Sequence, residues 1–482
     1  MRHCSRWRKP AVMLGVDPYH TGDAAYCLAP CTWVWTRRTS PRRARPCMMS
    51  DFCAIDFGTS NSAVAISAGG AVQLVELEAG QRTMPTAMFY AVEGLATFEE
   101  PTLHFGRAGI AAYVEGAEGR LMRSMKSILG STLAHQGTDV GGGRSVRYLD
   151  VVSAYLRHLR SLAERRAGHA MRRIVLGRPV SFVDDDPLRD RAAQDALEQA
   201  ARSVGFDDIR FQFEPIAAAL DFETSVDREQ LVLVADIGGG TSDFSLVRVS
   251  PALQLRADRR DDILGNHGIH VAGTDFDRQI ELHNILPVAG YRSLGPTGRE
   301  VPSKVYFDLA TWHLINTVYA TNRVSELQQM RSFYTDASHH QRLMAVLRQR
   351  LGHDLIGRAE AAKIAVAQGQ LAAIDLSRLQ AGLSRTLVEA DAIDAIGDDM
   401  ERIAQAAAET AIRAQVQPSQ VNALYFTGGS TGFGPLTRRI AQIFPTARIV
   451  RGDQFASVAQ GLGLHAMRVF GQARARRCAS RS

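Results

Sequence analysis

The sequence predicts an α/β protein of two similar halves, and three observations carry that expectation. The first is the stretch 231–247, LVLVADIGGGTSDFSLV. An apolar run of strand length leads into Asp236, Gly238, Gly239, Gly240, Thr241 and Asp243, and a second apolar run follows at 244–249. This is the pattern of a tight hairpin whose turn is nearly bare of side chains. The second is a copy 180 residues upstream at 53–66, CAIDFGTSNSAVAI, with Asp56, Gly58, Thr59 and Ser60 in the corresponding places. The third is a later glycine turn, where a strand at 421–426 enters Gly428, Gly429 and Ser430 and then a helix. A turn without Cβ atoms lets backbone N–H groups converge, and that concavity suits phosphate oxygens. Aspartates at its mouth suit a hydrated divalent cation, because hard cations take oxygen ligands. Two such hairpins imply two half-domains facing one nucleotide, and the third turn becomes the expected nucleoside site.

Composition narrows the class. At 482 residues the chain has a prior of about three domains. No apolar run is long enough to span a bilayer, so no membrane role is expected. The formal charge is +6, but residues 1–50 hold nine Lys/Arg against two Asp/Glu, and 471–482 hold four Arg and no acid. The remainder carries 43 basic and 48 acidic residues, which gives no case for nucleic-acid binding. Five of the six cysteines lie in the same two end segments; only Cys53 sits in the body. That argues for a reducing compartment, and the cytoplasm is the expected location.

Residues 1–49 show neither a helical nor a strand period, and they lack the apolar core of a secretory signal. They are expected to be a non-native or disordered extension, with Met48 or Met49 as initiator. His20, Cys27 and Cys31 have no fourth ligand at metal spacing.

In chain order, 71–77 and 88–92 read as strands, and Pro85 holds Met84 extended. Residues 101–130 look helical, with Arg120, Arg123 and Lys126 on a basic face, and 137–143 reads as a loop. Residues 150–167 place Val151, Tyr155, Leu156, Leu159 and Leu162 at helical spacing. A buried strand is expected at 174–179, a helix at 187–204 opening on Pro187, and a short strand at 210–213. Glu214 and Pro215 then start a helix; by position alone Glu214 is a carboxylate complementing the helix dipole. In the second half, 270–277 leads into a helix capped by Thr274 or Asp275. Residues 287–303 read as a loop, and 306–330 and 341–355 as helices, with Trp312, Ile315 and Tyr319 as a core stripe. A helix at 359–367 carries Glu360 and Lys363. Strands are expected at 371–376 and 385–388, a long helix at 390–415, and the last clear strand at 421–426. Neither a G-x-x-x-x-G-K-[ST] loop nor a strand-borne G-x-G-x-x-G occurs.

The segments AIDFGTSNS, EPIAAAL, ADIGGGTSD, AGTDFD and FTGGSTGFGP, in this order, resemble the nucleotide-binding domain of the DnaK-type heat-shock chaperones, the heat shock protein 70 family of the actin-like ATPase superfamily. The length most resembles the short YegD-like chaperone homologues. The resemblance implies a two-lobed actin-like ATPase fold, with duplicated ribonuclease-H-like mixed sheets flanked by helices around a central nucleotide cleft. It divides the chain into lobe I at 50–234, lobe II at 235–453 with a helical insertion at about 287–355, a closing helix at 454–470 and a basic tail at 471–482.

It also implies ATP/ADP and Mg2+ as cofactors. Asp56 and Asp236 would hold Mg2+ through water. Gly58, Thr59, Ser60 and Asn61 would wrap the phosphates from one lobe, and Gly238, Gly239, Gly240 and Thr241 from the other. Glu214, Asp236, Thr241 and Asp243 would form the catalytic set, and Gly273, Glu360, Lys363, Gly428, Gly429 and Ser430 would complete the nucleotide site. Four departures stand out. Ile110 occupies the place of the family's phosphate-contacting lysine, which Arg107, Arg120 or Lys126 could replace only if the local backbone differs. Ile364 and Ala367 replace an arginine and a serine beside the adenine, and Gly432 replaces an arginine in the last turn. The sequence also ends soon after the last helix, so a form lacking the family's client-binding domain is expected.

The leading expectation is an ATP-binding, slowly hydrolysing, chaperone-like protein acting on an unknown protein client or with a co-chaperone. A non-hydrolysing nucleotide sensor or interaction scaffold, motivated by Ile110, and a small-molecule kinase of the same superfamily are the alternatives.

Overall fold

Two sheets of the same construction form the frame. In the first, β1 (Phe52–Phe57) and β2 (Asn61–Ala68) make the expected hairpin, and β3 (Ala71–Leu74) adds an antiparallel neighbour. The chain then makes β4 (Thr83–Pro85), which bridges to β2, and a small sheet of β5 (Ala87–Ala91), β6 (Thr102–Phe105) and β7 (Gly119–Arg123). Helix α1 (Gly106–Glu115) lies between β6 and β7. A hairpin of β8 (Gly137–Gly141) and β9 (Arg144–Arg147) precedes the amphipathic α2 (Tyr148–Ala167). Strand β10 (Arg173–Arg178), helix α3 (Pro187–Ser203) and strand β11 (Asp208–Phe213) complete the half, with β10 parallel to β1 and β11 parallel to β10. Asp186 caps α3 by accepting from the Arg189 N–H, and Pro187 sits in its first turn.

Helix α4 (Glu214–Glu223) leads to β12 (Gln230–Ile237), which pairs with β13 (Ser242–Val249) as the second hairpin. All of β12 pairs within the second sheet, across the expected lobe boundary at 234/235. There follow β14 (Ile263–Ile269), α5 (Gly273–Ile280), a π turn at Glu281–Ile285, and helices α6 (Lys304–Ala310), α7 (Thr321–Gln329), α8 (Ala337–Arg348) and α9 (Gly352–Ala367). The small hairpin β15 (Ala372–Asp375) and β16 (Ser384–Leu387), helix α10 (Glu389–Arg413), β17 (Ala423–Thr427), α11 (Gly434–Ile443), β18 (Arg448–Arg451) and α12 (Ser457–Ala479) complete the chain. The first sheet runs β11-β10-β1-β2-β3 and the second β18-β17-β12-β13-β14. In each, an antiparallel hairpin has one further antiparallel strand on one side and two parallel strands on the other. Mixed sheets flanked by helices, repeated in this way, are consistent with the actin-like ATPase fold.

This computed structural model describes residues 51–479 apart from 96–98, 184–185, 255, 257, 313 and 453–455. The expected extension at 1–49 and the end of the tail at 480–482 lie outside the described residues. Among the described residues no helix is long and apolar enough to cross a membrane.

Several local expectations are corrected. Residues 101–130 are not one helix but β6, α1, β7 and a 3-10 turn at Met125–Ile128. Two left-handed residues enforce the breaks: Gly116 closes α1 at φ 84°, and Ser124 reverses the chain at φ 52°. The loop at 137–143 belongs to the β8–β9 hairpin. Residues 306–330 divide into α6, a 3-10 turn at Ile315–Tyr319 and α7. Helix α5 is not capped by Thr274 or Asp275 in the usual sense; Ala272 holds the cap position, and Asp275 reaches back to accept from its N–H at 3.0 Å. Strands β14 and β18 had no counterpart in the sequence reading.

One apolar core fills each half, and a third joins them. Its centre is α4 against α12. Ala217, Ala218 and Ala219 of α4 are buried, and so are Ala459, Leu462 and Ala466 of α12. Phe52 and Val175 of the first sheet and Val232 and Tyr425 of the second close over the pair. Small residues bring the two helix backbones together. A Cβ on Gly461 would lie 1.8 Å from the Ala217 carbonyl oxygen.

That contact separates a packing glycine from a tolerated one. Gly461→Ala should destabilise the protein by at least about 1–3 kcal/mol through overpacking. Gly471→Ala, in the same helix with open space around it, should be neutral or stabilising by about 0.5–1 kcal/mol. Denaturant unfolding of both variants measures the difference.

Candidate functional site

The two hairpin turns meet. A Cβ on Gly239 would lie 3.1 Å from Ser60 Oγ, so the second turn lies directly against the first. Gly58 is pinned from its own side: its carbonyl accepts from Thr86 Oγ1 at 2.7 Å, and the Thr86 N–H donates to the Ser60 carbonyl at 2.9 Å. A side chain at Gly58 would strike the Asn61 carbonyl at 2.3 Å. The second turn closes through the Gly238 N–H on the Thr241 carbonyl at 2.9 Å. The Gly238 carbonyl accepts from the Gly273 N–H at 3.2 Å and from Ser430 Oγ at 2.7 Å. The Gly239 carbonyl accepts from the N–H and Oγ1 of Thr274, each at 2.8 Å. With these carbonyls engaged, the turn's amide N–H groups are what it has left to offer an anion.

The third turn packs on the second. Gly428 has φ 88°, and a Cβ there would lie 2.4 Å from the Ile237 carbonyl and 2.7 Å from Asp236 Oδ1. Only glycine satisfies both the left-handed backbone and the missing space. Gly429 and Ser430 continue in a 3-10 turn, Gly429–Gly432. Gly273 opens α5 with Ser430 Oγ and Lys363 Nζ beside it, and Lys363 donates to the Gly273 carbonyl at 3.1 Å. Lys363 is also ion-paired to the buried Asp277 at 2.7 Å. Glu360 stands exposed one turn earlier on α9.

Between the turns lies an acidic floor with one cation. Lys126 is buried, and its Nζ meets Glu214 Oε1 at 2.6 Å. Glu214 therefore does start α4, but its carboxylate is also the lysine's partner. Burial alone would lower the Lys126 pKa; Glu214, Asp56 and Asp243 overcome it and raise the value. Three aspartates shift upward in turn. Burial pushes the Asp236 carboxyl up to about 7, with Asp243 and Glu214 adding repulsion and Lys126 opposing them. Asp56 rises well above the usual range by burial and by Glu214. Asp243 rises by burial, against the hydrogen bond it accepts from Thr241 Oγ1 at 2.8 Å. Asp236 and Asp243 are also directly opposite in the β12–β13 register, a pairing that disfavours two like charges.

Of the three substitutes that the sequence offers for the missing lysine, Lys126 is the one whose ammonium lies among these acids. Ile110 lies within α1, and Arg107 is tied to Glu78 and to the Thr83 carbonyl at 3.0 Å, away from the acidic floor. The left-handed turn at Ser124 supplies the different local backbone that a substitute cation requires. A lysine directly after a broken basic stretch was the available signal, and the helical reading of 101–130 concealed it.

Among the described residues no three His, Cys, Asp or Glu side chains could hold a metal ion directly. The donor chemistry instead fits a hydrated Mg2+ carried on phosphate, because Mg2+ keeps several waters and takes few protein ligands. Two other concavities, of about 320 and 630 Å³, flank α10, and none of the expected site residues lines them. Volume therefore does not single out the turns; their mutual contacts and the charge between them do.

A family model described as Hsp70 protein matches residues 126–286. The matched span begins on Lys126 and includes Glu214, the second hairpin and Gly273, while the first hairpin and Gly428 lie outside it. The match supports the Hsp70 family and a nucleotide-binding, chaperone-like role. Hsp70 domains bind ATP or ADP with Mg2+.

The crowded acids carry a stability cost in the ligand-free protein. The folded Asp236 pKa of about 7 exceeds the ordinary 3.8. Its protonated form therefore favours folding below about pH 4, and that advantage is lost as pH rises through 7. Asp236→Asn should match the parent in acid and exceed it at pH 8 by on the order of 1–3 kcal/mol. Thermal unfolding at pH 4.5 and pH 8 without nucleotide gives the comparison; equal shifts at both values would refute the assignment.

Proposed function

We propose that this chain is an Mg2+-ATP-binding, slowly ATP-hydrolysing, chaperone-like protein of the Hsp70 type, with Lys126 as its phosphate-site cation. The observation that carries the reading is the convergence of Asp56, Glu214, Asp236 and Asp243 around Lys126, between two glycine turns that face each other. Asp56 and Asp236 would hold the ion through water. Gly58, Thr59, Ser60 and Asn61 would take the phosphates from one side, and Gly238, Gly239, Gly240 and Thr241 from the other. Gly273, Lys363, Gly428, Gly429 and Ser430 would receive the nucleoside, with Glu360 at its edge. When bound, the Mg2+-nucleotide supplies the phosphoryl group, the leaving group and the neutralising ion.

The chain's own residues then position and stabilise. Lys126 puts a buried positive charge among the acids, where negative charge would build up on the phosphate oxygens. Glu214 holds that ammonium in place. Asp243 fixes the Thr241 hydroxyl by accepting its hydrogen bond, and Asp243 and Glu214 are the carboxylates available to orient a water. Lys126 gives the site a lysine that Ile110 does not, and this supports the hydrolysing reading over a non-hydrolysing sensor. A nucleotide-driven closure of the halves, read by a protein client or co-chaperone, would be the output. One buried free cysteine, Cys53, among the described residues is in keeping with a reducing, cytoplasmic setting.

Titration calorimetry should detect Mg2+-ATP and Mg2+-ADP, and phosphate release should report slow turnover. Lys126→Met should lower turnover about 10²–10³-fold while folding is retained, and Asp236→Asn should abolish Mg2+-dependent binding. Absence of binding at millimolar nucleotide would defeat the proposal. Binding with Lys126→Met turnover equal to the parent's would defeat the role given to that lysine.

A further inference from the structure

A further contact joins the two halves, and the nucleotide reading does not use it. Tyr113 of α1 and Arg123, the last residue of β7, come from the first half. Trp312, just after α6, and His353, in the first turn of α9, come from the second. The Tyr113 and Trp312 rings stack at 5.4 Å between centroids, inclined by 24°. The Arg123 guanidinium lies over the Trp312 ring at 4.1 Å. His353 closes the group edge-on, 4.9 Å from Trp312 and 5.3 Å from Tyr113. Asn316 hydrogen-bonds the Tyr113 hydroxyl and faces His353 Nε2 at 3.3 Å. Burial and the nearby Arg123 hold His353 at a pKa of about 4, so it is neutral at pH 7 and adds no repulsion against the guanidinium.

The elements that carry this contact also carry the site. Arg123 precedes Lys126 by three residues, and only the Ser124 reversal and Met125 separate them. His353 shares α9 with Glu360 and Lys363, and ten residues of helix from His353 to Lys363 span about 15 Å. Arg123 also senses the Glu360 charge. The cluster thus sits on the same two elements as the phosphate cation and the nucleoside residues proposed above. Aromatic stacking and a cation over an indole face supply attraction that salt screens less than an exposed ion pair.

We propose that Tyr113, Arg123, Trp312 and His353 form a clasp between the two halves that sets how fast a bound nucleotide leaves. This rests on nucleotide binding in the cleft. Trp312 is the one tryptophan beyond residue 50, so a full-length chain with Trp7, Trp33 and Trp35 changed to Phe reports on the clasp without ligand. In that background, Tyr113→Ala and Arg123→Ala should each shift Trp312 emission to the red and raise its quenching by acrylamide. In the parent background, the same two substitutions and Trp312→Ala should each speed release of a fluorescent ADP by about tenfold. That rate should change little between 50 and 500 mM salt. Emission shifts with unchanged release would overturn the clasp and leave nucleotide binding standing. Unchanged emission would overturn the contact itself. A parent chain that binds no nucleotide would overturn the clasp's role together with the function proposed for the cleft.

Discussion

Asp56, Glu214, Asp236 and Asp243 are held around one buried ammonium, that of Lys126, and the rest of the structure serves to keep them there. The four acids come from β1, the start of α4, β12 and β13, so no local segment could gather them. Left alone, such a group repels itself and resists burial. Lys126 offsets part of that cost, and the remainder appears as raised carboxyl pKa values. A site that is electrostatically unsatisfied when empty has free energy to gain from a cation. The same strain that weakens the empty protein is what would favour a magnesium-bound triphosphate.

The repeated sheet explains how the acids reach one place. In each half the hairpin lies in the middle of the sheet, with parallel strands on one side and an antiparallel strand on the other. Each central strand carries its aspartate near the same end, before a glycine turn. Helices α4 and α12 then pack between the sheets, and their close approach at Ala217 and Gly461 sets the spacing of the halves. Backbone contact of this kind is stiff, because interiors are close-packed and little deformable. Movement is therefore expected as rotation about this contact, with the turns opening and closing at a distance from it.

Much of this was legible in the sequence where the signal is local. The hairpins, α2, α3, α4 and α10 follow from apolar periodicity, alanine content and glycine turns, and those features act within a few residues. What stayed hidden depends on distant partners. Strand β14, ILGNHGI, has no apolar alternation, yet Gly265 is required because α10 presses on it: a Cβ there would lie 2.9 Å from Ala414 Cβ. The β8–β9 hairpin is masked by Gly141, Gly142 and Gly143, all at positive φ. The helix expected over 306–330 fails around Trp312, where the chain turns to meet Tyr113 and Arg123 of the other half. In the site, the glycines and aspartates could be named beforehand because their chemistry is bound to the turns that hold them. Lys126 could be named only as one of three substitutes, beside Arg107 and Arg120, since its direction is set by Ser124 in a left-handed conformation, directly after the point where Arg123 is drawn onto Trp312.

That last proximity gives the two halves two different kinds of junction. The α4–α12 contact is apolar, extensive and backbone to backbone. The contact around Trp312 is a few half-buried rings and one guanidinium, each worth about 1 kcal/mol. A rigid junction at one place and a weak one at another is the arrangement that permits rotation between defined states, since the weak contact can break while the strong one persists. Its strength also falls in a useful range. A contact far stronger would lock the halves together whatever the cleft contained, and one far weaker could not bias them. Because Arg123 and Lys126 share one short segment, opening the proposed clasp would also move the ammonium among its acids. On this proposal the charge balance of the cleft and the closure of the halves would be one mechanical system, coupled through the segment from Arg123 to Lys126.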